Sequence, residues 1–384
     1  MTEDYWGRYQ SNEPVTHFDP LHTFLEDKIP VGFRVNFVPG RRKRPREQRL
    51  KLMESDLEEP ILDLEINNSP LSKVYNGQDF AVVIAGDDEI LGLPSDDPKT
   101  QDYPSYRGLT IMNKFSPLGL YSKEATGIAM VSFPSTYIRK LNNPQLNFDL
   151  LLPMRTSLKH LVEDREQYGN FNTPLIFFNI GPSSGASIRY LHGQSYVVPE
   201  AYGLNTYCFR KAFETAFENQ GSCLTCKIAN RTVVSDHLGQ DINYQSLTIW
   251  EDEYVKLIYP YAPLRTFGPR LIPKSHVDYL GNCDDNLLKS IAKGLSIADV
   301  VMNEAVPSGR KPIVDRTVTF RQTSKFGRDF HLFIDILPPF PFVAAETADY
   351  LGLSPYYPTD VAELMRQVHI QYLASTIISS NPNT

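Results

Sequence analysis

The 384-residue chain is long enough for two domains of ordinary size, each burying its own core. Hydrophobic residues make up 41% and charged residues 22%, a globular composition, and no apolar run approaches the roughly 18 residues needed to span a bilayer, which excludes a membrane helix. A net charge of −7 argues against nucleic acid or an acidic membrane as partner, and four cysteines are too few for a disulfide framework. The first ten residues lack a basic head followed by an apolar stretch, so no secretion signal is read there and the cytoplasm is the expected location.

Residues 1 to 30, rich in His, Pro, Asp and Asn, read as an irregular arm. Alternation through Phe33, Val35 and Phe37 predicts a strand over 32–39, followed by the basic run Arg41-Arg42-Lys43-Arg44-Pro45-Arg46, either a solvated loop or an anion-binding element. Residues 46–59 predict a short helix, 80–85 a strand and 91–108 a loop. A strand over 127–133, a helix over 151–168, a buried strand over 174–179, the turn Gly181-Pro182-Ser183-Ser184-Gly185 and a strand carrying His192 to Val198 complete the first half. After a helix over 207–219 the order recurs. Strands are expected over 246–250, 254–259 and 270–273, a helix over 287–305, and strands over 317–321 and 329–337. Phe133–Tyr137 matches Ile272–His276, and Tyr190–Gln194 matches His331–Asp335, so the halves look like divergent copies of one α+β unit.

On a strand, residues two apart share a face, which puts Tyr190, His192 and Gln194 together. A lone strand histidine reads as a satisfied core residue, but the glycine turn offers backbone N–H groups and Ser187 a hydroxyl, the material for holding a phosphate beside an imidazole. In the second half, Cys223-Leu224-Thr225-Cys226 has a spacing that suits a metal or redox role in a reducing compartment.

Asn179-Ile180-Gly181, Gly185-Ala186-Ser187 and His192-Gly193-Gln194 together resemble the active-site strand of the galactose-1-phosphate uridylyltransferase branch of the histidine-triad superfamily, whose pattern is Asn-x-Gly, Gly-x-Ser and His-x-His-x-Gln. The resemblance runs from about residue 30 to 370. It takes in Arg41 and Arg44 before Pro45, the Ile272–His276 segment, Ile336-Leu337-Pro338 and Tyr356–Ala362, the last three most like the ADP-glucose phosphorylase relatives. It implies two fused histidine-triad-like α+β domains, each an antiparallel sheet with packed helices, the catalytic one at 1–205 and a second at 206–384. It further implies nucleotidyl transfer from a nucleotide sugar. His192 would be the covalent nucleophile and Gln194 a contact to the phosphoryl oxygens, with Asn179, Gly185, Ser187, Arg41 and Arg44 binding substrate. The acceptor would be a hexose 1-phosphate or inorganic phosphate, and a homodimer follows the family.

The resemblance also assigns metal. Cys223, Cys226, His276 and His331 form a Cys₂His₂ set for a structural zinc in the second half, where Phe333 stands in place of the nucleophile. The family's first-domain zinc has no matching ligands: Tyr190 replaces the first histidine, Thr136 or Tyr137 the other, and the earliest cysteine is Cys208. That loss motivates an alternative expectation, a catalytically inactive nucleotide-binding or regulatory relative.

Overall fold

The computed structural model describes residues 15–26, 29–37, 81–85, 88–91, 106–112, 128–134, 138, 140–163, 173–184, 186, 191–198, 204–236, 238–305, 312–323, 330–339 and 352–380. The expected helix over 46–59 and nearly all of the expected 91–108 loop lie outside them. Strands β1 (Val15–Glu26) and β2 (Ile29–Phe37) pair antiparallel, and β16 (Gly352–Ser354) adds to β2 in parallel. β1 corrects the reading of residues 1 to 30 as irregular. Its prolines and histidines hide any period-two pattern, and it is pairing with β2, together with burial of Leu21, that makes it a strand.

Among the described residues the main sheet has eleven strands: β3 (Ala81–Ala85), β4 (Asp88–Leu91), β5 (Tyr106–Met112), β6 (Ile128–Pro134), β7 (Thr173–Ile180), β8 (Gly193–Val198), β11 (Thr248–Glu251), β12 (Val255–Ile258), β13 (Arg270–Pro273), β14 (Arg316–Arg321) and β15 (Phe333–Leu337). The short pair β9 (Val233–Ser235) and β10 (Asp241–Asn243) stands apart. Among the described residues there are six α-helices: α1 (Pro144–Glu163), α2 (Leu204–Gln220), α3 (Leu224–Asn230), α4 (Tyr244–Leu247), α5 (Asp285–Glu304) and α6 (Pro358–Ser380). α1 begins seven residues before the helix expected from periodicity. Pro144 suits a first helical turn, and the Asn143 side chain accepts from Leu146 N at 3.1 Å, so capping sets the boundary.

Strand order shows the repeat. β3-β5-β6-β8-β7 runs inward from one side and β11-β12-β13-β15-β14 from the other, meeting where β7 pairs antiparallel with β14. Registers make the equivalence residue by residue. Val131 faces Gln194 and Ser132 faces Gly193, just as Arg270 faces Asp335 and Leu271 faces Ile334. His192 and Gln194 therefore correspond to Phe333 and Asp335. Phe178 faces Gly193 as Phe320 faces Ile334, so Asn179 corresponds to Arg321.

One core lies between the sheet and α1, α5 and α6; a second covers the other face of the second repeat, beneath α2 and α3. Period two divides β15 between them, Ile334 and Ile336 in the first core and Phe333 in the second. Arg316, 1% exposed on its side chain, pairs with Asp299 of α5 at 3.1 Å and anchors β14 to that helix. Among the described residues no helix is long and apolar enough to cross a membrane.

Candidate functional site

β7 and β8 present two different faces. Phe178 and Gly193 point toward α1, and helix and sheet approach so closely there that a Cβ on Gly193 would lie 2.6 Å from Met154 Sδ and 2.8 Å from Phe178 Cε1. Only glycine fits between His192 and Gln194. The opposite face then carries Phe177, Asn179, Gln194 and Tyr196, half-buried, in the alternation that the strand geometry demands. His192 immediately precedes β8 and is 3% exposed, its ring stacked on Phe133 with centroids 6.1 Å apart. Asn179 and Gln194 thus sit on adjacent strands, one pair apart, since Gln194 is directly opposite Phe177.

Two hydroxyls reach these amides. Tyr196 Oη donates to Gln194 Oε1 at 3.3 Å, and Thr317 Oγ1, from the facing strand of the second repeat, donates to Asn179 Oδ1 at 3.4 Å. The Tyr196 ring meets Phe177 edge-on at 5.1 Å, and burial pushes its phenol above the ordinary tyrosine range.

The turn after β7 differs from its sequence reading. Gly181 has φ +79, and a Cβ there would overlap the Asp315 carboxylate. Asp315 Oδ2 accepts from Ser183 N at 2.7 Å, while Ser184 N and Ala186 N both donate to Gly181 O. Two N–H groups of the turn expected to face a phosphate, those of Ser183 and Ser184, are therefore engaged within the protein, as is that of Ala186 just after it. Gly185, Ser187, Tyr190, Arg41, Arg44, Thr136 and Tyr137 lie outside the described residues.

In the second repeat the equivalent face is closed. Asp335, where the first repeat has Gln194, pairs with Arg270 at 2.7 Å, both side chains 1% exposed, and with Arg321 at 3.4 Å. Arg270 also lies over the Phe333 ring at 4.6 Å, and Arg321 over Phe209 of α2 at 5.0 Å. Phe213 of α2 packs on Phe330 and Phe333. Aromatic packing and a buried ion network fill the place that in the first repeat holds an imidazole and two amides.

Cys223, Cys226, His276 and His331 come together, although up to 108 residues separate them, with their ligand atoms all within 4.8 Å of one another. Sulfur-to-nitrogen distances of 3.6, 3.2 and 3.5 Å match the edge of about 3.5 Å that a tetrahedral zinc with these ligands requires. His331 Nε2 lies 3.0 Å from Pro273 O; a carbonyl only accepts, so Nε2 carries the hydrogen and Nδ1 is left to bind metal. Cys226 N donates to Cys223 Sγ at the start of α3. A side-chain hydrogen bond between the two sulfurs holds the Cys223 thiol far below its usual range, with His276 and His331 adding to the effect, and the same thiol–thiol bond pushes Cys226 up. The donor set and its geometry fit zinc.

Tyr196 and Thr317 escaped the motif reading. Tyr196 was within reach of period two, since it shares the face of His192 and Gln194; Thr317 lies 138 residues from Asn179 in sequence, and no local pattern announces it.

Paired five-stranded repeats with a His-Gly-Gln strand in one of them give this chain a fold shared with solved ADP-glucose phosphorylase and uridylyltransferase structures. No family model matches the sequence. Over 235 residues the chain is 23% identical to ADP-glucose phosphorylase of Arabidopsis thaliana, a match that spans 58% of this chain and 58% of the relative's length. The crystal structure of an ADP-glucose phosphorylase from Arabidopsis thaliana with bound ADP-glucose superposes with a TM-score of 0.67 at 18% identity, covering 92% of this chain and 99% of that one. A uridylyltransferase structure superposes at 0.58 and 16% identity, covering 76% of this chain and 99% of its own.

Proposed function

We propose that the chain is a nucleotidyltransferase that acts on a nucleotide sugar through a nucleotidyl-histidine on His192, with inorganic phosphate or a hexose 1-phosphate as acceptor. The observation that carries this reading is the asymmetry of the repeats. One face holds a histidine and two amides, Asn179 and Gln194, while the equivalent face is sealed by Phe333, Asp335, Arg270 and Arg321. In the second copy the charged groups neutralise one another in a buried network, whereas the Asn179 and Gln194 amides of the first copy stay half-buried with their nitrogens outside any such network.

In this reading the neutral imidazole of His192 attacks the α-phosphorus, the bond from that phosphorus to the bridging oxygen breaks, and sugar 1-phosphate departs. Phosphate or hexose 1-phosphate then attacks the phosphoramidate, and His192 is regenerated. The Asn179 and Gln194 nitrogens donate to non-bridging oxygens; Gly185 and Ser187 add to that set, and Arg41 and Arg44 pair with the outer phosphates. With the Ser183 and Ser184 turn amides engaged internally, side-chain amides bear more of the load than the sequence suggests. The names of the relatives favour phosphate as acceptor and ADP-glucose as the first donor to test.

Cys223, Cys226, His276 and His331 would hold a structural zinc; a closed four-ligand set offers no open position for chemistry. We read 1–205 and 206–384 as two fused units, a division that the repeated strand order supports, in a cytoplasmic homodimer with no nucleic-acid or membrane partner. The alternative, an inactive nucleotide-binding relative, draws support from Asp315, whose carboxylate occupies an amide of the candidate phosphate turn.

Incubation with ADP-glucose or UDP-glucose labelled at the α-phosphorus tests the two readings against each other. Acid-labile, base-stable label on the protein that disappears in folded His192→Ala is expected of the enzyme. Nucleotide binding with no label from either donor would select the inactive relative.

A further inference from the structure

We propose that the Tyr196 and Thr317 hydroxyls are positioning groups that fix the polarity of the Gln194 and Asn179 amides, so that both turn their N–H donors to one anion. The inference rests on the reading of this face as the phosphoryl site. A primary amide is ambivalent: a half-turn exchanges its acceptor oxygen for its donor nitrogen. A phosphoryl oxygen only accepts, so an amide presenting its oxygen would repel the group it should hold.

Each amide oxygen already has a donor, Tyr196 Oη at 3.3 Å for Gln194 and Thr317 Oγ1 at 3.4 Å for Asn179. Among the described residues neither amide nitrogen is hydrogen-bonded. Phe177, packed edge-on against Tyr196 and directly opposite Gln194, limits the swing of the phenol. Burial keeps that phenol protonated well into alkaline pH, and thus a donor. Thr317 is delivered by register, since it stands directly opposite Asn179 across the seam, which makes the second repeat a contributor to the first repeat's site.

The repeat supplies an internal control. Tyr196 corresponds to Leu337 and Thr317 to Leu175. Where Gln194 and Asn179 are replaced by Asp335 and Arg321, whose polarity is set by charge, both hydroxyls are absent as well. Hydroxyl and amide occur together or not at all, which packing alone does not require.

The test uses the full-length protein and near-isosteric variants, Tyr196→Phe and Thr317→Val, each alone and combined with Gln194→Ala or Asn179→Ala. Two readouts run side by side: the single-turnover rate of label transfer from ADP-glucose, and the Kd for ADP by calorimetry. Each hydroxyl deletion is expected to weaken ADP binding and slow transfer about threefold to tenfold, the range of one neutral hydrogen bond. Tyr196→Phe should have no further effect in the Gln194→Ala background, nor Thr317→Val in the Asn179→Ala background. Equal losses with and without the amide would overturn the proposal, as would undiminished ADP binding in both hydroxyl variants or no ADP binding by the wild type. Coupled losses in ADP binding with no label transfer would uphold amide positioning while sinking the transferase reading.

Discussion

Asp335→Asn tests the buried ion network that replaces the amide site in the second repeat. The substitution keeps shape and hydrogen-bonding capacity but removes the negative charge of Asp335 that Arg270 and Arg321 share. Arg270 is the decisive partner, because its side chain is 1% exposed and cannot reach water, whereas that of Arg321 is 20% exposed and can turn outward. Breaking a buried pair by deleting one partner costs about 3–5 kcal/mol, against a total stability of about 5–15 kcal/mol. If the sheet melts as one unit, a chain of this length should lose about 5 °C in Tm. Denaturant titration and calorimetry measure both quantities. The double variant Arg270→Met/Asp335→Leu, which removes the pair together, should recover most of the loss, since replacing a buried ion pair whole by apolar groups costs far less than removing one partner. An Asp335→Asn protein within about 1 kcal/mol of wild type, or a double variant worse than the single, would refute the reasoning.

Elemental analysis of protein purified without added metal should find about one zinc per chain, and Cys223→Ser/Cys226→Ser should lose both the zinc and thermal stability. Zinc retained at full occupancy in that variant would rule out this ligand set. Gly193→Ala pushes a methyl group into Met154 and Phe178, so thermal denaturation should show a loss of about 1–3 kcal/mol. The companion Met154→Ala should relieve part of it, and a Gly193→Ala variant as stable as wild type would mean that α1 does not press on the strand. His192→Ala, read by protein labelling and melting together, should abolish label in protein that still folds, with some loss of Tm because the ring it removes is 3% exposed and stacked on Phe133.

Much of this protein was legible before folding. The alternating strands of both halves, the order that repeats, the Cys-x-x-Cys pair and the His-Gly-Gln strand all rest on relations between residues a few positions apart, which period two, turn chemistry and ligand spacing encode locally. β1 was not legible, because its residues carry no alternation and become a strand only by pairing with β2. Nor was the fate of the turn after β7. Asp315 reaches Ser183 from 132 residues away and takes an amide that local reading leaves free. Arg270, Asp335 and Arg321 look in sequence like ordinary strand charges, and only the closing of α2 over the sheet turns them into a sealed network. The sequence by itself determined which residues could do chemistry and on which face of each strand they stand; tertiary structure decided which copy of that face is sealed by a buried ion network and which keeps half-buried amides. Register across the β7–β14 seam joins residues that no local period connects.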